Sequence, residues 1–146
     1  MKKNLENLLN EGVIKKVTTD KELISNSISL AERDLKTALK VFKEKDFDWT
    51  LTISYNAMLQ AGRALMFSHG FRPSGSFKHL AVSRFVSLFQ FELGENLILI
   101  FDKIRKRRHI AVYDFSETVS ESEAKNAVKK SSEFVNKIKH LINKKS

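Results

Sequence analysis

The chain has no cysteine among its 146 residues. That excludes disulfides, thiolate metal sites and cysteine nucleophiles, and it suits a reducing compartment such as the cytoplasm. Histidine is sparse as well. The four, His69, His79, His109 and His140, show neither Glu-x-x-His nor His-x-x-x-His spacing, so the metal sites typical of helical bundles are not expected, nor is any other cofactor. Long apolar runs are missing too. The longest, Leu97 to Phe101, falls far short of the ~20 residues that span a bilayer. The start, Met1-Lys2-Lys3-Asn4, turns polar too early for a signal-peptide core. A soluble, cytoplasmic protein with no membrane partner is expected. Gly70 and Gly75 have the separation of a Walker-type loop, but Ser76 stands where lysine is required and no strand precedes them. A Gly-x-Ser-x-Gly elbow, a convincing period-two alternation, internal repeats and low-complexity tracts are all lacking.

What is present is positive charge. Lysine and arginine number 26 against 17 acidic residues, a formal charge of +9 that favours polyanionic partners such as RNA or nucleotides. At this length one compact domain over residues 1–146 is expected.

Hydrophobic residues return at helical spacing throughout. Ile24, Ile28, Ala31, Leu35, Ala38 and Phe42 make one stripe, and Thr19 with Glu22 reads as a capping box, so a helix is predicted from Asp20 to Glu44. A second runs from Asp48 to His69, stopped by Gly70, with Tyr55, Leu59, Gly62 and Met66 facing inward. Glycine inside a helix costs about 1 kcal/mol against alanine, so Gly62 signals that another backbone passes close by. Phe71-Arg72-Pro73-Ser74-Gly75-Ser76 reads as a loop. A third helix carries Leu80, Val82, Phe85, Val86 and Phe89, with His79 near its start as a surface or capping residue. A fourth covers Glu95 to Tyr113. The last begins at Ser120 and Glu123, with Ala124, Ala127, Val128, Val135, Ile138, Leu141 and Ile142 on one side. Residues 1–16 add a short helix through Leu5, Leu8 and Leu9, beside a main bundle over residues 20–142. The fold class is all-α, an antiparallel four- to five-helix bundle.

The most informative stretch is Lys103-Ile104-Arg105-Lys106-Arg107-Arg108-His109 in the fourth helix. Like charges on successive turns repel, which favours an anion to neutralise them. Leu97, Phe101, Ile104, Arg108 and Ala111 share one stripe, so Arg108 occupies a place where periodicity asks for an apolar side chain. An unpaired buried charge costs roughly several kcal/mol. Either a carboxylate from a neighbouring helix meets it, or Arg105, Arg107, Arg108 and His109 line a groove that holds phosphate, for which the guanidinium fork is well shaped. On the second helix Asn56, Gln60 and Arg63 project from one face, either into solvent or across a cleft toward the basic helix. Phe85, Phe89 and Phe91 either fill the interior or furnish a partner surface.

Three strings together, Ser54-Tyr55-Asn56-Ala57-Met58-Leu59-Gln60-Ala61-Gly62-Arg63-Ala64-Leu65-Met66, Gly70-Phe71-Arg72-Pro73, and Arg105-Lys106-Arg107-Arg108-His109-Ile110-Ala111-Val112-Tyr113-Asp114, resemble the HEPN family of small helical bundles. The resemblance implies four or five helices, commonly a homodimer, often encoded beside a minimal nucleotidyltransferase as a toxin and antitoxin pair. Active members are similar to metal-independent ribonucleases. There an arginine is followed by a polar residue, with a histidine four to six positions beyond on the same helix. Carried onto this chain, Arg108 matches the arginine and His109 the polar residue, while Tyr113 sits at the nearest histidine position. Starting from Arg107 puts Val112 there, and Arg105 with His109 leaves too short a gap. The motif is therefore degenerate. Histidine suits removal of a 2′-hydroxyl proton, whereas tyrosine, with an ordinary pKa of about 10, is a poor base. The resemblance thus implies catalysis through Arg108, His109 and Tyr113 in active forms, or a binding module in which Tyr113 is a modification acceptor.

Overall fold

In the computed structural model, residues 2–113 and 118–145 are described, apart from the side chains of Tyr113 and Lys145. The elements run α1 (Lys2–Asn10), β1 (Ile14–Lys16), α2 (Lys21–Lys43), α3 (Phe47–Ser68), β2 (Phe71–Pro73), α4 (Lys78–Val86), a 3-10 turn (Ser87–Phe89), α5 (Gln90–Leu93), α6 (Glu95–Tyr113) and α7 (Glu121–Lys145). No helix among the described residues is long and apolar enough to cross a membrane.

The bundle is built around α3, which is buried on almost every side and packs against α2, α4, α6, α7 and β2. Its sequence explains this position, since between Thr50 and Ser68 the only charged residue is Arg63. Helices apolar all round are stable only when neighbours cover every face. α2 and α3 form the main hairpin, and α7 closes over both. Tyr55, Phe85, Phe101 and Phe134 are the largest fully buried side chains.

Local signals act as the sequence suggests, with three differences. The N-cap of α2 is Asp20 rather than a Thr19 capping box: its carboxylate accepts hydrogen bonds from the backbone N–H groups of Glu22 and Leu23. At α7, Ser120 Oγ does accept from Glu123 N, at 3.1 Å. Residues 71–73, expected to be loop, instead pair antiparallel with residues 14–16, Ile14 opposite Pro73 and Lys16 opposite Phe71. Three-residue strands are too short to show alternation in sequence, and pairing only becomes visible once the chain ends of α1 and α3 meet.

The third difference concerns Gly62. It faces side chains of α4 rather than a passing backbone: a methyl added there would lie 2.5 Å from Val82 Cγ1 and 3.3 Å from Val86 Cγ2. Without it α4 is pushed off α3. Phe85 and Phe89 are buried, so they belong to the core and not to a partner surface, whereas Phe91 on α5 is fully exposed.

Candidate anion-binding site

The close approach at Gly62 brings the first turn of α4 onto α3, and so brings His79 against Tyr55, ring centroids 5.6 Å apart. From the other side Phe101 of α6 stacks on the same tyrosine, at 5.8 Å and 25°. α6 is held to α4 by Ser83 Oγ, which donates to Asp102 Oδ1 at 3.3 Å. About two turns beyond Phe101 on α6, Arg108 carries its guanidinium over the Tyr55 ring, Cζ lying 5.8 Å from the centroid. That distance falls within cation–π range.

Three helices therefore converge on Tyr55. Arg63 of α3 and Arg105 and Arg108 of α6 all act electrostatically on Tyr55 and on His79. Arg105 is partly compensated, because its Nε and Nη2 donate to Asp102 Oδ1 at 3.1 and 2.9 Å, and the second carboxylate oxygen takes Lys106 Nζ at 3.1 Å. Burial pushes the Asp102 carboxyl up, but the bonds and charges of Arg105 and Lys106 outweigh it and hold the group below its ordinary value. Arg63 and Arg108 have no carboxylate within ion-pair reach among the described residues.

Among the described residues, two buried polar atoms of the cluster are left without a hydrogen-bond partner, the Tyr55 hydroxyl and Arg108 Nε. An unsatisfied buried polar group costs about 1–3 kcal/mol, and more when charged. Here a charged donor and a neutral donor are orphaned together. Burial pushes the tyrosine hydroxyl up to about 12 against the opposing pull of the three arginines, so it keeps its proton and stays a donor at neutral pH. Burial also lowers His79, as do Arg63, Arg108 and Arg105, so its uncharged imidazole is favoured. Arg63 is lowered by its own burial. The result is a cluster of donors with too little negative charge among the described residues, suited to an oxyanion.

A family model for the HEPN domain matches residues 24–141. The chain belongs to the HEPN family. Among curated proteins none is similar enough to count as a relative.

Within this HEPN domain the sequence-predicted residues separate. Arg105, Arg108 and Arg63 join the cluster. Arg107 points the other way, its Nε 2.5 Å from Glu123 Oε2 and its Nη2 donating to the Thr118 carbonyl at 3.0 Å, so it fastens α6 to α7. His109 is exposed on α6. Asn56 and Gln60 are half-buried on α3, and no hydrogen bond joins them to the cluster among the described residues. The side chain of Tyr113, and with it its part in the degenerate motif, lies outside the described residues.

Sequence reasoning missed Tyr55 and His79 as site residues. Tyr55 was placed correctly in the core, but its hydroxyl carried no signal of being unpartnered. His79 reads as a surface or capping residue, yet the cap position of α4 is Phe77 and the imidazole is half-buried against Tyr55. No group of three or more metal-ligating side chains is gathered among the described residues.

Proposed function

We propose that this HEPN domain binds RNA through its phosphate groups, with Arg108, Arg63 and Arg105 as the cations and Tyr55 as a neutral donor. The observation that carries this reading is the pair of orphaned donors, the Tyr55 hydroxyl and the Nε of Arg108, whose guanidinium lies over the Tyr55 ring, buried where no carboxylate among the described residues satisfies them. An anion that enters offsets both penalties at once. The net charge of +9 draws polyanions to the surface, and the cluster supplies a place for one of their phosphates to settle.

Binding rather than cleavage is the function that the arrangement supports best. The α6 histidine, His109, is exposed, and the imidazole that belongs to the cluster is His79 from α4. The ends of the elements that carry the cluster also expose apolar side chains, Ile110 and Val112 on α6 and Phe77 and Leu80 beside His79. They support a protein contact at this end of the domain, a second copy being the simplest partner.

The test is titration of short single-stranded RNA by fluorescence anisotropy at several salt concentrations. Salt-sensitive binding that Arg108→Ala weakens and Lys144→Ala leaves alone is expected. Equal loss in both variants means diffuse surface attraction and overturns the reading. RNA cleavage that disappears in His79→Gln replaces binding by catalysis.

A further inference from the structure

We infer that the Tyr55–Arg63–Arg108 cluster selects a phosphate monoester, the terminal phosphate of an RNA or nucleotide, over the internal diesters of an RNA chain. The inference rests on the phosphate-binding reading above and narrows it to one class of ligand.

Charge is the first argument. Arg105 and Lys106 share Asp102, and the cations facing Tyr55 that have no carboxylate at all among the described residues are Arg63 and Arg108. A diester carries one negative charge, whereas a phosphate monoester carries about −1.5 to −2 at pH 7. The dianion matches two guanidinium groups without leaving one of them unpaired.

Donors give the second argument. The cluster carries the Tyr55 hydroxyl, Arg108 Nε–H and the other guanidinium N–H groups of Arg108 and Arg63. A monoester presents three terminal oxygens to them and a diester two, so the terminal group satisfies more of the set. Access is the third. The two orphaned atoms are closed off from bulk water, while Arg63 and Arg108 are only half-buried. An oxygen that reaches them comes most easily from a chain end, since a diester is flanked on both sides by ribose.

The experiment compares one RNA sequence carrying a 5′-phosphate, the same RNA with a 5′-hydroxyl, and a nucleoside 5′-monophosphate as competitor. The expected result is roughly tenfold tighter binding of the phosphorylated RNA. That preference should collapse in Arg108→Gln and in Tyr55→Phe, and the mononucleotide should displace the RNA from the wild-type protein. Tyr55→Phe keeps the aromatic core, so loss of preference there with melting no lower than that of the wild type separates recognition from misfolding. Competition by the mononucleotide together with equal binding of the two RNAs points to free nucleotides as the source of the terminal phosphate. Equal binding of both RNAs without mononucleotide competition overturns the inference and leaves the RNA-binding reading standing. Absence of binding to all three overturns both.

Discussion

Arg107 and Arg108 are neighbours on one helix, alike in side chain and in local sequence, and they have opposite fates. Arg107 faces α7 and is neutralised by Glu123 and by the Thr118 carbonyl. Arg108 faces α3 and α4, meets an aromatic ring, and keeps a buried N–H with no partner among the described residues. One step along a helix turns a side chain by about 100°, enough to exchange one set of neighbours for another. A cation with its carboxylate in place contributes to the fold. One without it is available to a ligand, and the protein bears the cost until the ligand arrives.

Four measurements press on this difference. The largest effect is expected for RNA affinity in Arg108→Ala: loss of a charge-assisted contact of about 1.5–3 kcal/mol, some ten- to hundredfold in Kd, with a melting temperature unchanged or higher. If affinity holds and the protein unfolds instead, Arg108 belongs with Arg107. Arg107→Ala should show the reverse, a stability loss of about 1–3 kcal/mol in chemical denaturation with RNA binding within a factor of two to three. Tyr55→Phe comes next. Deleting a buried hydroxyl that has no partner should raise stability by about 1 kcal/mol in the free protein, and a drop would show that the hydroxyl is satisfied in solution.

The smallest effect is on pH. Because His79 is lowered in the fold, the unfolded chain binds its proton first, and stability falls as pH drops through the ordinary histidine value near 6.5. Above that value both states are neutral and the contribution is flat. His79→Gln should remove this share of the acid destabilisation, read as the difference between the melting curves of the two proteins from pH 7.5 down to pH 5.5. Phosphate bound at the cluster should shrink the wild-type slope, since a nearby anion favours the imidazolium.

Much of the fold was legible from spacing. α2, α3 and α6 lie within a residue or two of their expected bounds and α7 starts where its cap was expected, because an apolar stripe, a cap and a stop at Gly70 or Gly94 are all local in sequence. β1 and β2 were not legible: three residues carry no period, and their pairing is made by residues almost 60 positions apart. The site was half legible. Arg108 stood out as a cation on an apolar stripe, and Arg63 as the lone charge of a buried helix. Expecting a carboxylate partner on a neighbouring helix was sound physics, and it describes Arg107. Tyr55 and His79 gave no warning, since what makes them notable is each other.

The sequence by itself determined that this chain folds as a helical bundle with an excess of cations gathered on α6, because periodicity and composition act over one or two turns. Which of those cations were neutralised, and which were left facing Tyr55 and His79 without an anion, only the tertiary structure decided. Ion pairing and orphaned donors depend on distances between helices, and those distances follow from contacts such as Gly62 against Val82 that join residues far apart in the chain.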